Sequence, residues 1–300
     1  MFKQKRMIFF YTETPLHVGA GRASANVDLP IQRERVTQYP MLQASGLKGV
    51  LRTDYRERNN LKDDDKEVEM IFGKAGEGGE SFAGAISVGD GRLLLLPVRS
   101  LKGVFAWTTS VHALETFRRA ASLTGQEIQW DVPEPTDNNS ALVGDASDIV
   151  LDNKVILEEF SFNTKVISQV KAIGDWLAKH ALPAGHQYWR NALPKRLCIL
   201  PEDAFRDFCL YGTEVQTHIR IDPGKKTVQT GALWTTESLP VDCLLYAPMF
   251  AMDVRNGKDN ITAQEVLGKF NALHQSYLQL GGDETTGQGW VSVCLYPKGE

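Results

Sequence analysis

The chain has 300 residues, 42% of them hydrophobic and 23% charged, an ordinary globular composition that can bury a sizeable core in one large domain or two small ones. Its formal net charge of −4 and pI near 5.9 exclude a protein that coats nucleic acid through global positive charge. No apolar run approaches a membrane span, the start lacks a signal-peptide pattern, and the four cysteines contain no C-x-x-C pair, so we expect a cytoplasmic protein with neither a disulfide framework nor a zinc site.

Met7 to Thr12 reads as a short aromatic-rich strand, ended by Pro15 and the glycines of Thr14-Pro15-Leu16-His17-Val18-Gly19-Ala20-Gly21. The stretch from His17 to Pro40 is long and without apolar periodicity, which marks a functional or mobile loop. It is expected to be disordered until a ligand arrives. Ser45 is placed as the N-cap of a helix from about Gly46 to Arg58, with Leu47, Val50 and Leu51 facing the core. Lys48, Arg52 and Arg56 recur every four residues and share one face. Residues 1–58 hold ten Lys/Arg against five Asp/Glu, whereas residues 59–80 hold three Lys against seven acids. A local positive groove is therefore compatible with an acidic whole.

Residues 59–81 are acidic and Gly-rich, and read as an inserted, mobile excursion. Phe82–Val88 and Arg92–Val98 read as a hairpin about a Gly89-Asp90-Gly91 turn. Arg99-Ser100-Leu101-Lys102-Gly103-Val104 echoes Ser45-Gly46-Leu47-Lys48-Gly49-Val50, and is expected to open a second helix running to about Ala121. Residues 123–160 look irregular. Thr164–His180 has helical periodicity, Leu197–Leu200 is a buried strand, and Pro201–Tyr211 opens with Pro and two acids as a helix does.

Val215–Ile221 alternates, with Gln216, His218 and Arg220 on one face; Asp222-Pro223-Gly224-Lys225 supplies the turn and Thr227–Glu237 the return. Cys243–Phe250 is an apolar strand and Ala263–Leu280 reads as an amphipathic helix. A Gly-rich segment, 281–289, leads into the last strand, Trp290–Tyr296. Frequent hairpins without βαβ regularity favour an α+β fold on an antiparallel sheet.

Several residues carry chemistry in this pattern. Lys48, beside Gly46 and Gly49 at a helix start, suits an anion held by free amides and the helix dipole; a solvated face explains it equally. Four glycines in 281–289 can aim amides at phosphates, although no Walker pattern is present; a flexible connector needs the same glycines. Asp28 is a lone acid in a polar loop, with His17 before it and Arg33 and Arg35 after it. Alone it would be a turn residue. Near phosphates it can hold a divalent ion or orient a 2′-hydroxyl. Glu237 ends the return strand of the hairpin, and nothing in the sequence brings it near Asp28. Trp234 and the polar face of the hairpin are candidates for stacking on bases.

Taken in order, Thr14–Gly21, Val27-Asp28-Leu29-Pro30-Ile31-Gln32-Arg33-Glu34, Ser45-x-Leu47-Lys48-Gly49-x-x-Arg52, Leu96–Gly103 with Phe105-Ala106-Trp107, and Gly281-Gly282-Asp283-Glu284-Thr285-Thr286-Gly287-x-Gly289 resemble the RAMP superfamily, nearest to the backbone (Cas-seven-like) subunits of type III-B (Cmr) CRISPR effector complexes. The resemblance covers nearly the whole chain. It implies a ferredoxin-like, RRM-like palm with a finger at about 59–81 and a thumb hairpin at about 211–240. It implies copies stacked along a CRISPR guide RNA beside other Cmr subunits. It further implies cutting of guide-paired target single-stranded RNA, in antiviral defence, with a divalent metal (Mg²⁺ or Mn²⁺) and cyclic-phosphate and 5′-hydroxyl ends. Asp28 matches the family's catalytic aspartate and is the metal candidate; His17 and Glu237 match positions near the cut. Lys48, Arg52, Ser45, Gly46, Gly282, Thr286, Gly287 and Gly289 match guide-backbone contacts, and Arg22, Lys102 and Arg220 are further RNA-binding candidates. The alternative is a guide-RNA scaffold that does not cut.

Overall fold

A computed structural model describes residues 2–22, 27–74, 81–255 and 261–298. Its centre is the first strand, Gln4–Thr12. Successive side chains of a strand point to opposite faces. Here Ile8 and Phe10 enter one apolar core, and Met7, Phe9 and Tyr11 enter a second. Both faces are covered, so the strand reads as an unbroken apolar run. Burying each of these large side chains contributes about 1.5–3 kcal/mol before entropy is counted.

Four strands set the frame. Trp290–Tyr296, Gln4–Thr12, Leu244–Ala251 and Gly91–Ser100 lie side by side in that order, antiparallel throughout. Ser276–Gln279 extends the edge beyond Trp290–Tyr296. Helices Ala44–Asn59, Lys66–Phe72 and Ala263–Gly268 feed Leu47, Leu51, Val68, Ile71 and Val266 into one core. Helices Val111–Leu123 and Ser168–His180 cover the other face with Leu114, Phe117, Val170, Ile173 and Leu177.

The long strand Gly91–Ser100 belongs to two sheets at once. Its second half pairs with Val104–Ser110, and the order continues through Leu197–Leu200, Ser140–Val143, Phe160–Val166 and Lys154–Leu157. Leu157 then pairs with Ser100, which closes this half into a small barrel. Closure removes most free edges. A separate two-stranded hairpin, Glu214–Ile221 with Val228–Ser238, stands off the main sheet. Its aliphatic residues Val215, Ile219, Ile221, Val228 and Leu233 are exposed.

Several expectations change. Phe82–Val88 and Arg92–Val98 do not pair with each other. Ile86–Val88 and Gly91–Ser100 both pair with Leu244–Ala251, so Gly89-Asp90 interrupts one line and turns nothing. The second Leu-Lys-Gly sequence opens no helix: Leu101-Lys102-Gly103 is the turn between Gly91–Ser100 and Val104–Ser110, with Gly103 at φ +80° and Val104 at φ +72°. The helix begins only at Val111, where the Ser110 hydroxyl accepts from the Ala113 amide. Within 59–81, the Asp65 carboxylate caps a real helix, Lys66–Phe72, and residues 75–80 lie outside the described residues. Irregular backbone is confined largely to 124–139, since 140–166 supplies barrel strands. Thr164–Val166 ends a strand, and the helix starts at Ser168.

The helix expected over Ala263–Leu280 is also three shorter pieces: Ala263–Gly268, a 3-10 turn Asn271–Leu273 and the edge strand Ser276–Gln279. Leu273, Leu278 and Leu280 are still buried, but Tyr277 is exposed. The free edge of Trp290–Tyr296 claims the segment, and its ladder outweighs helical spacing. A helix with no expectation behind it, Gln187–Arg196, carries Pro194 near its end.

Candidate RNA-cleaving and phosphate-gripping site

The loop after the first strand is built rather than loose. Leu16 pairs with Leu239, Gly19 with Ile31, Leu29 with Thr236 and Arg33 with Pro40. These bridges sew residues 27–40 to the base of the hairpin, which overturns the expected disorder for the described part of the loop; residues 23–26 lie outside it. The anchor is Ile31, buried in the core.

Asp28 sits where this seam reaches the hairpin. The Thr235 amide donates to Asp28 Oδ2 at 2.8 Å and the Thr235 hydroxyl donates to the same oxygen at 2.9 Å. Both bonds favour the charged form and hold the carboxyl below its usual value; Arg22 adds a weaker pull in the same direction. The side chain is exposed. Asp28 is thus a fixed, ionised, solvent-facing carboxylate.

Glu237, two residues beyond Thr235 on the same strand, is buried where Asp28 is exposed. It is 5% exposed. Its carboxylate pairs with the Arg33 guanidinium, accepts from the Ile31 amide at 3.0 Å and accepts from the Thr213 hydroxyl at 2.7 Å. Arg33 also donates to the carbonyls of Gln38 at 2.9 Å and Cys209 at 2.8 Å. The Glu237 oxygens are taken up by Arg33, the Ile31 amide and the Thr213 hydroxyl, which ties the hairpin base to the loop that carries Asp28. His17 is nine-tenths buried, with Nδ1 at 2.6 Å from the Glu237 carbonyl. A carbonyl only accepts, so Nδ1 carries the proton and the neutral ring offers Nε2 as an acceptor. Asp28 and His17, eleven residues apart in the chain, are therefore fastened to one short segment, Thr235–Glu237.

Beside this platform lies the start of helix Ala44–Asn59. A cavity of about 270 Å³ is lined by Val18, Gly19 and Gln32 from the loop, Gly46 and Val50 from the helix, and Gly282 from the Gly-rich segment. The structure so joins two stretches that the sequence could only juxtapose by analogy. Ser45 is not the cap. Gln43 is the N-cap residue without a side-chain bond of its own, and Asp90 from the sheet accepts from the Ala44 amide at 2.9 Å. Replacing Asp90 by Ala is expected to cost about 1 kcal/mol of stability, as loss of a capping acceptor does, which urea unfolding would measure. A Cβ added at Gly46 or Gly49 would meet nothing within 4 Å. Packing in this chain does not require either glycine, and each costs roughly 1 kcal/mol of helix propensity. An open, side-chain-free helix face is what close approach of a phosphate needs.

Lys48 is half-buried and makes no ion pair or hydrogen bond among the described residues. Burial, and then the neighbouring Arg52, lower its pKa. Arg52 itself is not free. It donates to the Asp63 side chain at 3.0 Å and to the carbonyls of Asp63 and Gly73, each at 2.9 Å, so it braces the 63–73 segment.

The Gly-rich segment also turns inward. The Gly282 amide donates to the His17 carbonyl at 2.9 Å and the Gly289 amide to the Pro15 carbonyl at 2.8 Å. The Gly287 amide bonds to Glu284, and the Thr286 hydroxyl to Asp283. The first two bonds hold the His17 loop and the last two close the segment's own turn; of the four residues, only Gly282 lines the cavity. Gly281, at φ +75°, must be glycine, because a Cβ there would come within 2.1 Å of the His17 carbonyl oxygen. Lys102 donates to the Val150 carbonyl at the barrel turn, and Arg220 is exposed on the hairpin. Trp234 stacks on His218, with ring centroids 5.5 Å apart and planes at 16°.

Comparison with known proteins gives a consistent result. The RAMP superfamily profile matches residues 9–292. The CRISPR system Cmr endoribonuclease Cmr4 of Pyrococcus furiosus is 40% identical over 290 residues, covering 96% of this chain and 95% of the relative. The CRISPR system CMR subunit Cmr4 of Saccharolobus solfataricus is 26% identical over 306 residues, covering 95% and 94%. Among solved structures, the crystal structure of oligomeric Cmr4 from Pyrococcus furiosus superposes with a TM-score of 0.74 at 33% identity, covering 97% of each chain. A chain of the type III-B Cmr-beta complex bound to cognate target RNA has the same fold, with a TM-score of 0.72 at 20% identity and 98% coverage of each.

Proposed function

The chain belongs to the RAMP superfamily, and from that premise we propose that it is an endoribonuclease and guide-RNA-binding backbone subunit of a type III-B Cmr complex, acting in the cytoplasm in antiviral defence. The observation that carries the cutting role is Asp28, held ionised and exposed by Thr235 at the base of the hairpin. Several copies stack along the guide with other Cmr subunits, and each cuts the paired target RNA once. The central strand order supports a ferredoxin-like palm, since its four strands run antiparallel with the last and third flanking the first. The hairpin Glu214–Ser238 is the thumb, and the segment around 59–81 is the finger.

In this reading the guide backbone lies over Gly46 and Gly49 against Lys48. Contacts to phosphate carry no sequence preference, so guide–target pairing supplies specificity. Repeated copies supply avidity, which explains how an acidic chain can hold RNA. Cleavage joins the 2′-oxygen to phosphorus and breaks the bond from phosphorus to the 5′-oxygen. The 2′-hydroxyl loses a proton and the leaving oxygen gains one. His17 Nε2 is the acceptor for the first proton. A carboxylate with a lowered pKa is a poor base and a good fixed charge, so Asp28 orients the hydroxyl or holds a cation. Among the described residues no group of three or more His, Cys, Asp or Glu could hold a metal ion. Asp28 alone suits Mg²⁺ or Mn²⁺, which keeps most of its shell as water and phosphate oxygens; bound there it would neutralise charge developing on phosphate.

The reading is tested in the assembled complex with guide and labelled target. Excess chelator should stop cleavage and leave target binding unchanged, and full cleavage in chelator would remove the metal. A chain that binds both RNAs and never cuts in Mg²⁺ or Mn²⁺ would be the scaffold of the alternative reading. Lys48→Ala should weaken guide binding uniformly across sequences and flatten the salt dependence by roughly one phosphate contact. An unchanged slope would place the guide elsewhere.

A further inference from the structure

At the far end of the last strand lies a second cavity, of about 390 Å³. Lys179 and His180 from helix Ser168–His180, Arg190 from helix Gln187–Arg196, His274 after the 3-10 turn, and Lys298 line it, with Tyr296 in the wall. No Asp or Glu lines it, although acids outnumber bases in the chain by 37 to 33. Lys179 and Lys298 make no ion pair among the described residues. Burial, then Lys179 and Arg190, push His180 down; burial, then Lys298 and Arg6, push His274 down.

Arg6 stands behind His274 and is 7% exposed. Its Nη1 donates to the Asn271 side chain at 2.8 Å, its buried Nε has no partner, and no carboxylate pairs with it among the described residues. An uncompensated buried guanidinium is costly unless an anion answers it. His274 is oriented to help. The Leu295 amide donates to its Nδ1 at 3.1 Å, so the neutral ring carries its proton on Nε2 and can donate. The floor is apolar, with Leu182 and Cys294. His180 and Tyr296 rings lie 4.8 Å apart, and Trp176 packs against both.

We propose that this cavity binds a phosphate ester of nucleotide size, with the phosphate among Lys179, Arg190, His274 and Lys298 and the base against the apolar floor and Tyr296. The volume is in the range of small-ligand sites. The strand Trp290–Tyr296 separates it from the Gly-rich end of the phosphate grip by roughly 20 Å at about 3.3 Å per residue. It is therefore a different site from the one that holds the guide backbone, and the proposal does not depend on that reading.

The test uses the full chain, with adenosine 5′-monophosphate and a 5′-phosphorylated hexanucleotide as separate probes. Binding is followed by calorimetry and by the fluorescence of Trp176, with a Trp176→Phe control to assign the signal. Saturable binding of either probe is expected, at least tenfold weaker in a Lys179→Ala, Lys298→Ala chain and unchanged in Lys154→Ala, which removes an exposed lysine of the barrel. Both replaced lysines are exposed, so the fold should survive, and circular dichroism checks it. The monophosphate binding as well as the oligonucleotide identifies a free nucleotide as the source; the oligonucleotide alone identifies an RNA terminus. Neither probe binding at millimolar concentration, or binding that the double replacement leaves intact, overturns the proposal.

Discussion

Asp28→Asn should leave guide and target binding intact and lower target cleavage by roughly 10²–10⁴-fold, the range lost with a positioned catalytic group. Asn preserves the shape and can still accept from the Thr235 amide and hydroxyl, so the loop should stay seated. What disappears is the charge. A single-turnover assay on preassembled complexes separates the rate from binding, and cleavage at the wild-type rate would remove Asp28 from the chemistry. The titration of Asp28 gives an independent check. Thr235 lowers the Asp28 pKa from 3.8. The ionised form is therefore fully present above the ordinary value and is lost only as pH falls through the lower, folded one. Thr235→Val deletes the hydroxyl donor and keeps the amide. The Asp28 carboxyl should then titrate higher, toward the ordinary carboxylate range, which NMR of the carboxyl carbon would follow without relying on the proton acceptor of the cleavage step. A carboxyl titration that stays put would mean that the Thr235 hydroxyl does not set the charge.

The frame was legible because strands buried on both faces announce themselves. Gln4–Thr12, Leu197–Leu200, Leu244–Ala251 and Trp290–Tyr296 are dense apolar runs, and the hairpin is marked by alternation and an Asp-Pro-Gly turn. Partnering was not legible. Nothing local says that Ile86–Val88 and Gly91–Ser100 share one neighbour, or that Leu157 closes a barrel on Ser100. The two Leu-Lys-Gly-Val copies show the limit clearly. One opens a helix and the other turns a hairpin, because Leu47 and Leu51 have a core to enter while Leu101 and Val104 point outward at 68% and 76% exposure. Likewise Asp28 could be named from the resemblance, but the fate of Glu237 and Arg52 could not. Both looked available and both are consumed by contacts from distant segments. The acceptor that caps helix Ala44–Asn59, Asp90, sits in what read as a turn. An acid at a strand break, facing a helix start with no cap of its own, is the signal that would have found it.

The Arg33–Glu237 pair should be the most sensitive structural point outside the apolar core. Arg33→Ala is expected to cost about 3–5 kcal/mol, the usual penalty for stranding one member of a buried ion pair. The side chains are only 15% and 7% exposed, so water cannot easily replace the missing guanidinium. The same guanidinium satisfies the Gln38 and Cys209 carbonyls, and its loss leaves those acceptors short as well. Glu237→Gln should cost less. The amide oxygen can still accept from the Ile31 amide or the Thr213 hydroxyl, and only the charge is lost. Replacing both together should recover part of the Arg33→Ala loss, because no lone charge remains buried, and a double-mutant cycle in urea would report a coupling of that sign. Function should not recover with stability. Ile31 and Leu29 are tied to the hairpin through this pair and its neighbours, and Asp28 rides on the same short segment. A doubly replaced chain that folds well yet cuts slowly, with target binding retained, would separate holding the loop from holding the fold. If Arg33→Ala instead costs less than about 1 kcal/mol, the pair behaves as a solvated surface bridge, and the Asp28 loop must owe its place to Ile31 and the backbone seam alone.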